Sequence, residues 1–341
     1  MKRILVIGGT YFAGKSFLSD IIDKLNNGNE KLGITVLNRG TKSLKEVLGQ
    51  RYDVTLEKGN AEFCELHCDR TDEEALKSVL GGCDDAKTGK AEESAVPCID
   101  AARFDAVVDF CAYNSGDIEK VFNALDTYPE QYIFLSTCDV YERGTGQTLD
   151  ESSPFEERRF PGEAGAYITG KVALERELDR LCEETQTAKT VLRPSVIFGE
   201  GNYAPREGMY FKWIEGAGQI IHPSDATGTC QLTYVGDVAE AISLCLFNEK
   251  AYGKAYNLIG TKPLTYDAFA DLLESATGRK IERVLLSVSE ITARGIPLPF
   301  PLYKEESEVY DGGLIKELGF DYSDAVKAMS NTWESCLNNA V

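Results

Sequence analysis

Apolar runs and helix-spaced apolar stripes alternate along the first half of the chain. The runs predict strands at 2–7, 33–38, 64–68, 105–110, 131–136 and 189–193. The stripes predict helices at 12–26, 41–49, 72–80, 115–127 and 166–184. Such a series builds an α/β fold, a doubly wound parallel sheet with helices on both faces, and ligands bind beyond the carboxyl ends of its strands. Two stretches break the rhythm: residues 50–63 and the Gly/Lys/Glu-rich 81–97 are polar enough to read as surface insertions.

After Arg193 the texture changes, with proline and glycine frequent between Pro194 and Gly218 and the elements shorter. Residues 231–247 restore a strand and an apolar-striped helix, 255–260 add a strand, and 263–280 read as a helix capped by Thr265 and ended by Gly278. The expected organisation is a domain over 1–193, to which 232–260 returns, and a smaller α/β region formed by 194–231 and 261–341.

A length of 341 residues suits one large or two unequal domains. With 43 % hydrophobic and 27 % charged residues the chain sits near globular averages. No apolar run approaches the ~18 residues of a membrane span, and the apolar run at Ile4–Ile7 reads as a first strand rather than a signal peptide. A soluble, cytoplasmic protein without membrane partners is expected, its ten scattered cysteines reduced. A formal charge of −19 repels a phosphate backbone, so nucleic acid is not a favoured partner. Cys64, His67 and Cys68 lack the further ligands of a closed zinc site, and no metal is expected. Only two histidines, His67 and His222, leave histidine-based nucleophilic catalysis poorly supplied.

The stretch VIGGTYFAGKS, residues 6–16, fits two phosphate-binding devices. Counted from Gly9 it is a P-loop with Lys15 and Ser16, for which Asp109 offers magnesium support. Counted from Gly8 it is a Rossmann dinucleotide turn whose middle glycine has become Tyr11. Bulky Tyr11 and Phe12 disfavour the first reading, because a P-loop folds its N–H groups inward around phosphates. The second strand ends in Asn38-Arg39, where a Rossmann fold meets the adenosine ribose. Arg39 suits a 2′-phosphate, which favours NADP over NAD. Asp69, at the end of the third strand, is placed for the adenine edge.

Tyr167 and Lys171 lie four apart on a predicted helix, hence on one face. An ammonium beside a phenol stabilises the phenolate and makes tyrosine an acid or base for a hydroxyl or carbonyl. Upstream, a buried strand runs into Ser136-Thr137, and Thr137 is placed to orient the reacting hydroxyl.

Together GGTYFAG at 8–14, DRTD at 69–72, FDAVVDFCAY at 104–113, STCDVY at 136–141, the Tyr167/Lys171 pair, LRPSVIFG at 192–199 and YVGDVAEAI at 234–242 resemble the extended short-chain dehydrogenase/reductase superfamily, the NAD(P)-dependent sugar epimerases and dehydratases. The resemblance implies that Gly8, Gly9, Thr10, Phe12 and Gly14 cradle a pyrophosphate at a helix N-terminus. It implies that Ala112, Pro194 and Val196 help to hold the cofactor, the last two facing the nicotinamide amide. Thr137, Tyr167 and Lys171 become a catalytic triad, with Lys171 also on the nicotinamide ribose.

Asp139 falls where related dehydratases and decarboxylases carry a glutamate base, and Cys230 where many nucleotide-sugar enzymes carry an arginine. The implied substrate is a sugar-like molecule, with a homodimer through the 115–127 and 166–184 helices. Tyr11 and the Asn-Arg-Gly turn also resemble an atypical branch that includes chloroplast stem-loop RNA-binding proteins, so a non-catalytic nucleotide-sensing or RNA-binding protein stays open as the alternative.

Overall fold

The computed structural model describes residues 1–81 and 103–338, so nearly all of the expected 81–97 insertion lies outside the described residues. The elements, in chain order, are β1 (Lys2–Ile7), α1 (Phe12–Asn27), β2 (Leu32–Asn38), α2 (Leu44–Leu48), α3 (Gln50–Lys58), β3 (Ala61–His67), α4 (Glu73–Leu80), β4 (Ala106–Asp109), α5 (Asp117–Ala124), β5 (Gln131–Leu135), β6 (Thr148–Leu149), α6 (Gly162–Thr185), β7 (Ala188–Pro194), β8 (Val196–Phe198), α7 (Glu207–Ala217), β9 (Gln219–Pro223), β10 (Leu232–Tyr234), α8 (Val235–Cys245), β11 (Lys254–Leu258), α9 (Tyr266–Thr277), β12 (Glu282–Leu286), α10 (Val288–Ala293), β13 (Val309–Tyr310) and α11 (Ala325–Asn338).

The chain forms two compact units. The first comprises Met1–Val140, Phe155–Arg193 and Ala239–Tyr256. Its sheet has seven strands in the order β11-β7-β5-β4-β1-β2-β3. The sequence order reverses direction between β1 and β4, the switch point of a Rossmann sheet. β1 pairs in parallel with β2 through Ile4↔Ile34 and with β4 through Ile4↔Ala106, so both edges of β1 are occupied. Helices cover both faces as well, and Ile4, Leu5, Val6 and Ile7 are fully buried. That explains the unbroken apolar run, since a strand covered twice has no polar face to show.

Two expectations are corrected here. The helix expected over 41–49 is the shorter α2, and the stretch expected as an insertion over 50–63 holds α3 and the start of β3. α3 buries only Thr55, so it lacks the apolar stripe that marks a helix in sequence. Polar contacts hold it instead: Asn26 Nδ2 donates to Thr55 Oγ1 at 2.9 Å, and Arg51 pairs with Asp23 at 3.0 Å. Among the described residues seven cysteines are free thiols, but Cys64 in β3 is disulfide-bonded. The expectation of reduced thiols throughout fails there because it weighed compartment rather than which sulfurs the fold joins.

The second unit comprises Tyr141–Pro154, Pro194–Val238 and Asn257–Val341. Three short parallel pairs, β8 with β10, β9 with β12 and β6 with β13, frame it. Its core is aromatic: Phe269 meets Tyr210 and Phe300 edge-on at 5.1 and 4.9 Å, and Phe211 meets Trp333 at 5.2 Å. Among the described residues no helix is long and apolar enough to cross a membrane.

Candidate active site

The glycine turn joins β1 to α1 at the carboxyl edge of the first unit's sheet. Gly8 sits at φ +86°, which glycine alone adopts freely, and its N–H donates to Leu37 O at 3.0 Å. A Cβ on Gly14 would collide with the Gly8 carbonyl oxygen, and one on Gly9 would lie 2.9 Å from Leu18 Cδ1. The two glycines let α1 start directly against the strand end, so its free N–H groups and positive dipole end open over that edge. Phe12 holds φ +33°, so the turn that lacks a middle glycine bends at a phenylalanine instead.

Gly14→Ala should cost about 1–3 kcal/mol of stability from this overlap, or weaken nucleotide binding if the turn yields. Urea unfolding together with a nucleotide titration checks both arms.

The geometry decides between the two parses of residues 6–16. α1 already begins at Phe12, so Lys15 and Ser16 are helix residues and Lys15 is exposed. Asp109, wanted for magnesium in the P-loop parse, is completely buried. It accepts Arg70 Nη1 at 2.6 and 2.8 Å, Tyr132 OH at 2.7 Å and Cys111 N at 3.0 Å. A carboxylate so enclosed has nothing left for a metal ion, and the P-loop reading is overturned.

At the end of β2, Asn38 Oδ1 accepts Gly40 N at 2.5 Å. Its Nδ2 is buried without a hydrogen-bond partner. Such an orphan at a ligand edge is an invitation to an oxygen acceptor such as a ribose hydroxyl. Arg39 is exposed, and Lys42 in the same loop places Nζ 5.1 Å from the Tyr11 ring centroid. Residues 38–43 contain no acid. Asp69 is exposed; its Oδ1 accepts Thr71 N and Oγ1 at 2.9 and 2.7 Å, and these bonds hold its carboxyl below the ordinary range. The cradle that a Cβ would fill, the open helix end and the orphan amide together fit a dinucleotide.

The residues expected to form the catalytic triad gather one strand further along. Lys171 is 2 % exposed, and its ammonium donates to Ala112 O at 3.0 Å and Leu135 O at 2.9 Å. Burial pushes its pKa down to about 8 against the pull of Asp109, Cys111 and Glu175. Nζ lies 5.8 Å from the Tyr167 ring centroid, and Tyr167 is 37 % exposed. Thr137 is buried at the end of β5; its Oγ1 accepts Asp139 N at 3.2 Å and donates to Asp139 Oδ2 at 3.3 Å. Pro194 ends β7 and Val196 begins β8, both in the second unit. Cys230, also there, is a buried thiol pushed up to about 12 by burial.

Sequence reading missed the groups that hold this cluster. Ser136 Oγ donates to Glu175 Oε1 at 2.6 Å, and Glu175 pairs with Arg193 through Nε at 3.0 Å and Nη2 at 2.5 Å. The buried pair ties α6 to β7 one turn after Lys171. Glu177 accepts Gly116 N, Ile118 N and Glu119 N at 2.5, 3.1 and 2.8 Å, so a side chain of α6 caps the start of α5. Tyr113 stands beside Tyr167, their ring centroids 6.4 Å apart. Of these, Tyr113, Ser136 and Arg193 lay within the motifs FDAVVDFCAY, STCDVY and LRPSVIFG, whereas Glu175 and Glu177 had no signal.

A Rossmann sheet, a glycine turn and a lysine–tyrosine pair on one helix define a nucleotide-binding α/β protein of the extended short-chain dehydrogenase type. The chain belongs to the NAD dependent epimerase/dehydratase family, whose model matches residues 4–258. It is 28 % identical over 277 residues to chloroplast stem-loop binding protein of 41 kDa b from Arabidopsis thaliana, covering 81 % of this chain. The chain spans 64 % of the length of that relative.

Its fold is similar to UDP-N-acetylglucosamine 4-epimerase from Methanobrevibacter ruminantium solved with UDP-N-acetylmuramic acid, with a TM-score of 0.71, 16 % identity and 99 % of each chain covered. UDP-glucose 4-epimerase from Thermotoga maritima, solved with UDP-glucose, gives 0.69 at 19 % identity, covering 99 % of this chain and 100 % of its own. UDP-glucose 4-epimerase from Thermus thermophilus, solved with NAD, gives 0.67 at 18 % identity with the same coverage.

Proposed function

We propose that the chain is an NAD(P)-dependent epimerase, dehydratase or reductase that acts on a hydroxyl or carbonyl carbon of a sugar or sugar-nucleotide-like substrate. The observation that carries this reading is the buried Lys171 ammonium beside the half-exposed Tyr167 ring at the carboxyl edge of the sheet. Gly8, Gly9, Thr10, Phe12 and Gly14 would hold the pyrophosphate, with Asn38, Arg39 and Asp69 at the adenosine end and Lys171 on the nicotinamide ribose. The nicotinamide supplies the hydride acceptor and donor. Tyr167 moves the substrate hydroxyl proton, Thr137 orients that hydroxyl, and the positive charge of Lys171 favours the phenolate. Asp139, which accepts a hydrogen bond from Thr137 Oγ1, is a second candidate, beside Tyr167, for proton abstraction.

The test is to incubate the protein with NAD or NADP and a panel of nucleotide sugars, reading reduced nicotinamide by absorbance and products by mass spectrometry. Absence of both cofactor binding and product would end the reading. Arg39 and Lys42, with no acid between 38 and 43, support NADP over NAD. Arg39→Asp should reverse the preference. Loss of a charge-assisted contact of about 1.5–3 kcal/mol predicts roughly ten- to hundredfold weaker NADP binding, with NAD spared. Fluorescence titration with both cofactors checks it.

The likeness to a stem-loop binding protein favours a second reading, a nucleotide-sensing or RNA-binding module without turnover. Tight RNA binding at physiological salt would favour it over the first.

A further inference from the structure

We infer that Tyr113 is a positioning residue of the Tyr167–Lys171 pair, forming with Tyr167 the outer wall of a three-ring cage that keeps water from the Lys171 ammonium. The functional part of this inference rests on the reading of Tyr167 and Lys171 as the proton-handling pair; the geometric part stands without it.

Three rings surround Nζ, with centroids at 4.6 Å for Phe134, 5.1 Å for Tyr113 and 5.8 Å for Tyr167. They are not equivalent. Phe134 is fully buried in β5 and forms the inner wall, whereas Tyr113 is 46 % and Tyr167 37 % exposed. The two tyrosines are therefore the rings of the cage that meet solvent. Each offers a π-face to the cation and excludes water on that side.

The Tyr113 ring is held from its backbone. Asp117 Oδ2 accepts both Tyr113 N and Asn114 N at 3.0 Å. The carbonyl of Ala112, the preceding residue, takes a Lys171 N–H at 3.0 Å. Gly170 of α6 presses on the Tyr113 carbonyl so closely that a Cβ there would collide with its oxygen. Loop and helix thus fix each other, and the backbone that carries the ring is held beside the ammonium.

The charged groups that act on Lys171 come from several elements. Asp109 from the end of β4, Cys111 after it and Glu175 from α6 favour the ammonium; Arg70, in the turn after β3, opposes it. Dehydration outweighs them all, and the pKa falls to about 8. Removing the Tyr113 ring gives up its attraction for the cation but readmits water, and because dehydration is the largest influence on Lys171 the net effect is a pKa that rises toward the ordinary lysine value of 10.5. In the pair, loss of the lysine proton removes support for the phenolate and sets the upper limb of the activity profile. That limb then moves to higher pH as well.

The test uses the full-length protein with 15N-labelled lysine, following Lys171 Nζ by NMR titration in the parent, Tyr113→Phe, Tyr113→Leu and Tyr113→Ala. Tyr113→Phe should titrate with the parent, and Tyr113→Ala should move up by about one unit or more. Tyr113→Leu, which keeps bulk, guards against a misfolded alanine variant and should move in the same direction. An unchanged Lys171 titration in a folded Tyr113→Ala or Tyr113→Leu protein overturns the inference. A shifted titration in a protein that turns over no substrate supports the cage while the enzyme reading fails. Where turnover is measurable, a pH–rate profile whose upper limb stays in place despite a shifted lysine overturns the positioning role.

Discussion

Tyr167→Phe should lower turnover by roughly a hundred- to ten-thousandfold, the range for removing a positioned acid or base, and leave cofactor affinity within about twofold. The substitution deletes one oxygen and keeps the ring, so the 6.4 Å contact with Tyr113 and the 5.8 Å approach of Lys171 survive. Its effect therefore reports chemistry rather than packing. The informative comparison is kcat against KM: an interaction made only in the transition state lowers kcat and kcat/KM together. Steady-state kinetics beside a cofactor titration separate the outcomes. If turnover persists at the parental rate, Tyr167 is not the proton carrier and Asp139 becomes the group to replace next.

The largest loss of stability is expected from Asp109→Asn, at about 3–5 kcal/mol, because it leaves the Arg70 guanidinium buried without its counter-charge. Asparagine keeps the volume, so a large effect belongs to charge rather than to a cavity. Full burial by itself would raise the Asp109 pKa, but Arg70 and the hydrogen bonds from Arg70 and Tyr132 hold it below 3.8. The stabilisation is thus fully present above the unfolded carboxyl value of about 3.9 and is lost only as pH falls through the lower folded value. Urea midpoints measured at neutral pH and again in acid test both parts. A neutral-pH difference below about 0.5 kcal/mol would show that the pair is dispensable.

How far the chain could be read depended on the range of the signal. β1, the glycine turn and the start of α1 were legible because each is set by neighbours within a few residues. The Tyr167/Lys171 pair was legible for the same reason, one helical turn apart. α3 was not, since a helix whose only buried residue is Thr55 presents no periodic stripe. The roles of Asp109, Glu175 and Glu177 were equally hidden. Asp109 gains its meaning from Arg70, Glu175 from Ser136 and Arg193, and Glu177 from backbone N–H groups around Gly116. Such partners are brought close only by the finished sheet. The P-loop match persisted at the level of sequence because nothing local to Asp109 shows that its oxygens are already taken.

The strand order at the other edge of the first unit has a consequence for biogenesis. β11 lies outside β7, and the segment around it is stitched on by Gly253 N to Lys189 O at 2.8 Å and by Thr190 Oγ1 to Ala251 O at 3.0 Å. On a ribosome, more than sixty residues must follow β7 before that neighbour is made. Throughout the interval β7 is the sheet's terminal ribbon, open along its backbone, and nascent or prematurely ended chains expose it to one another. The late-arriving strand acts as the seal that closes this window.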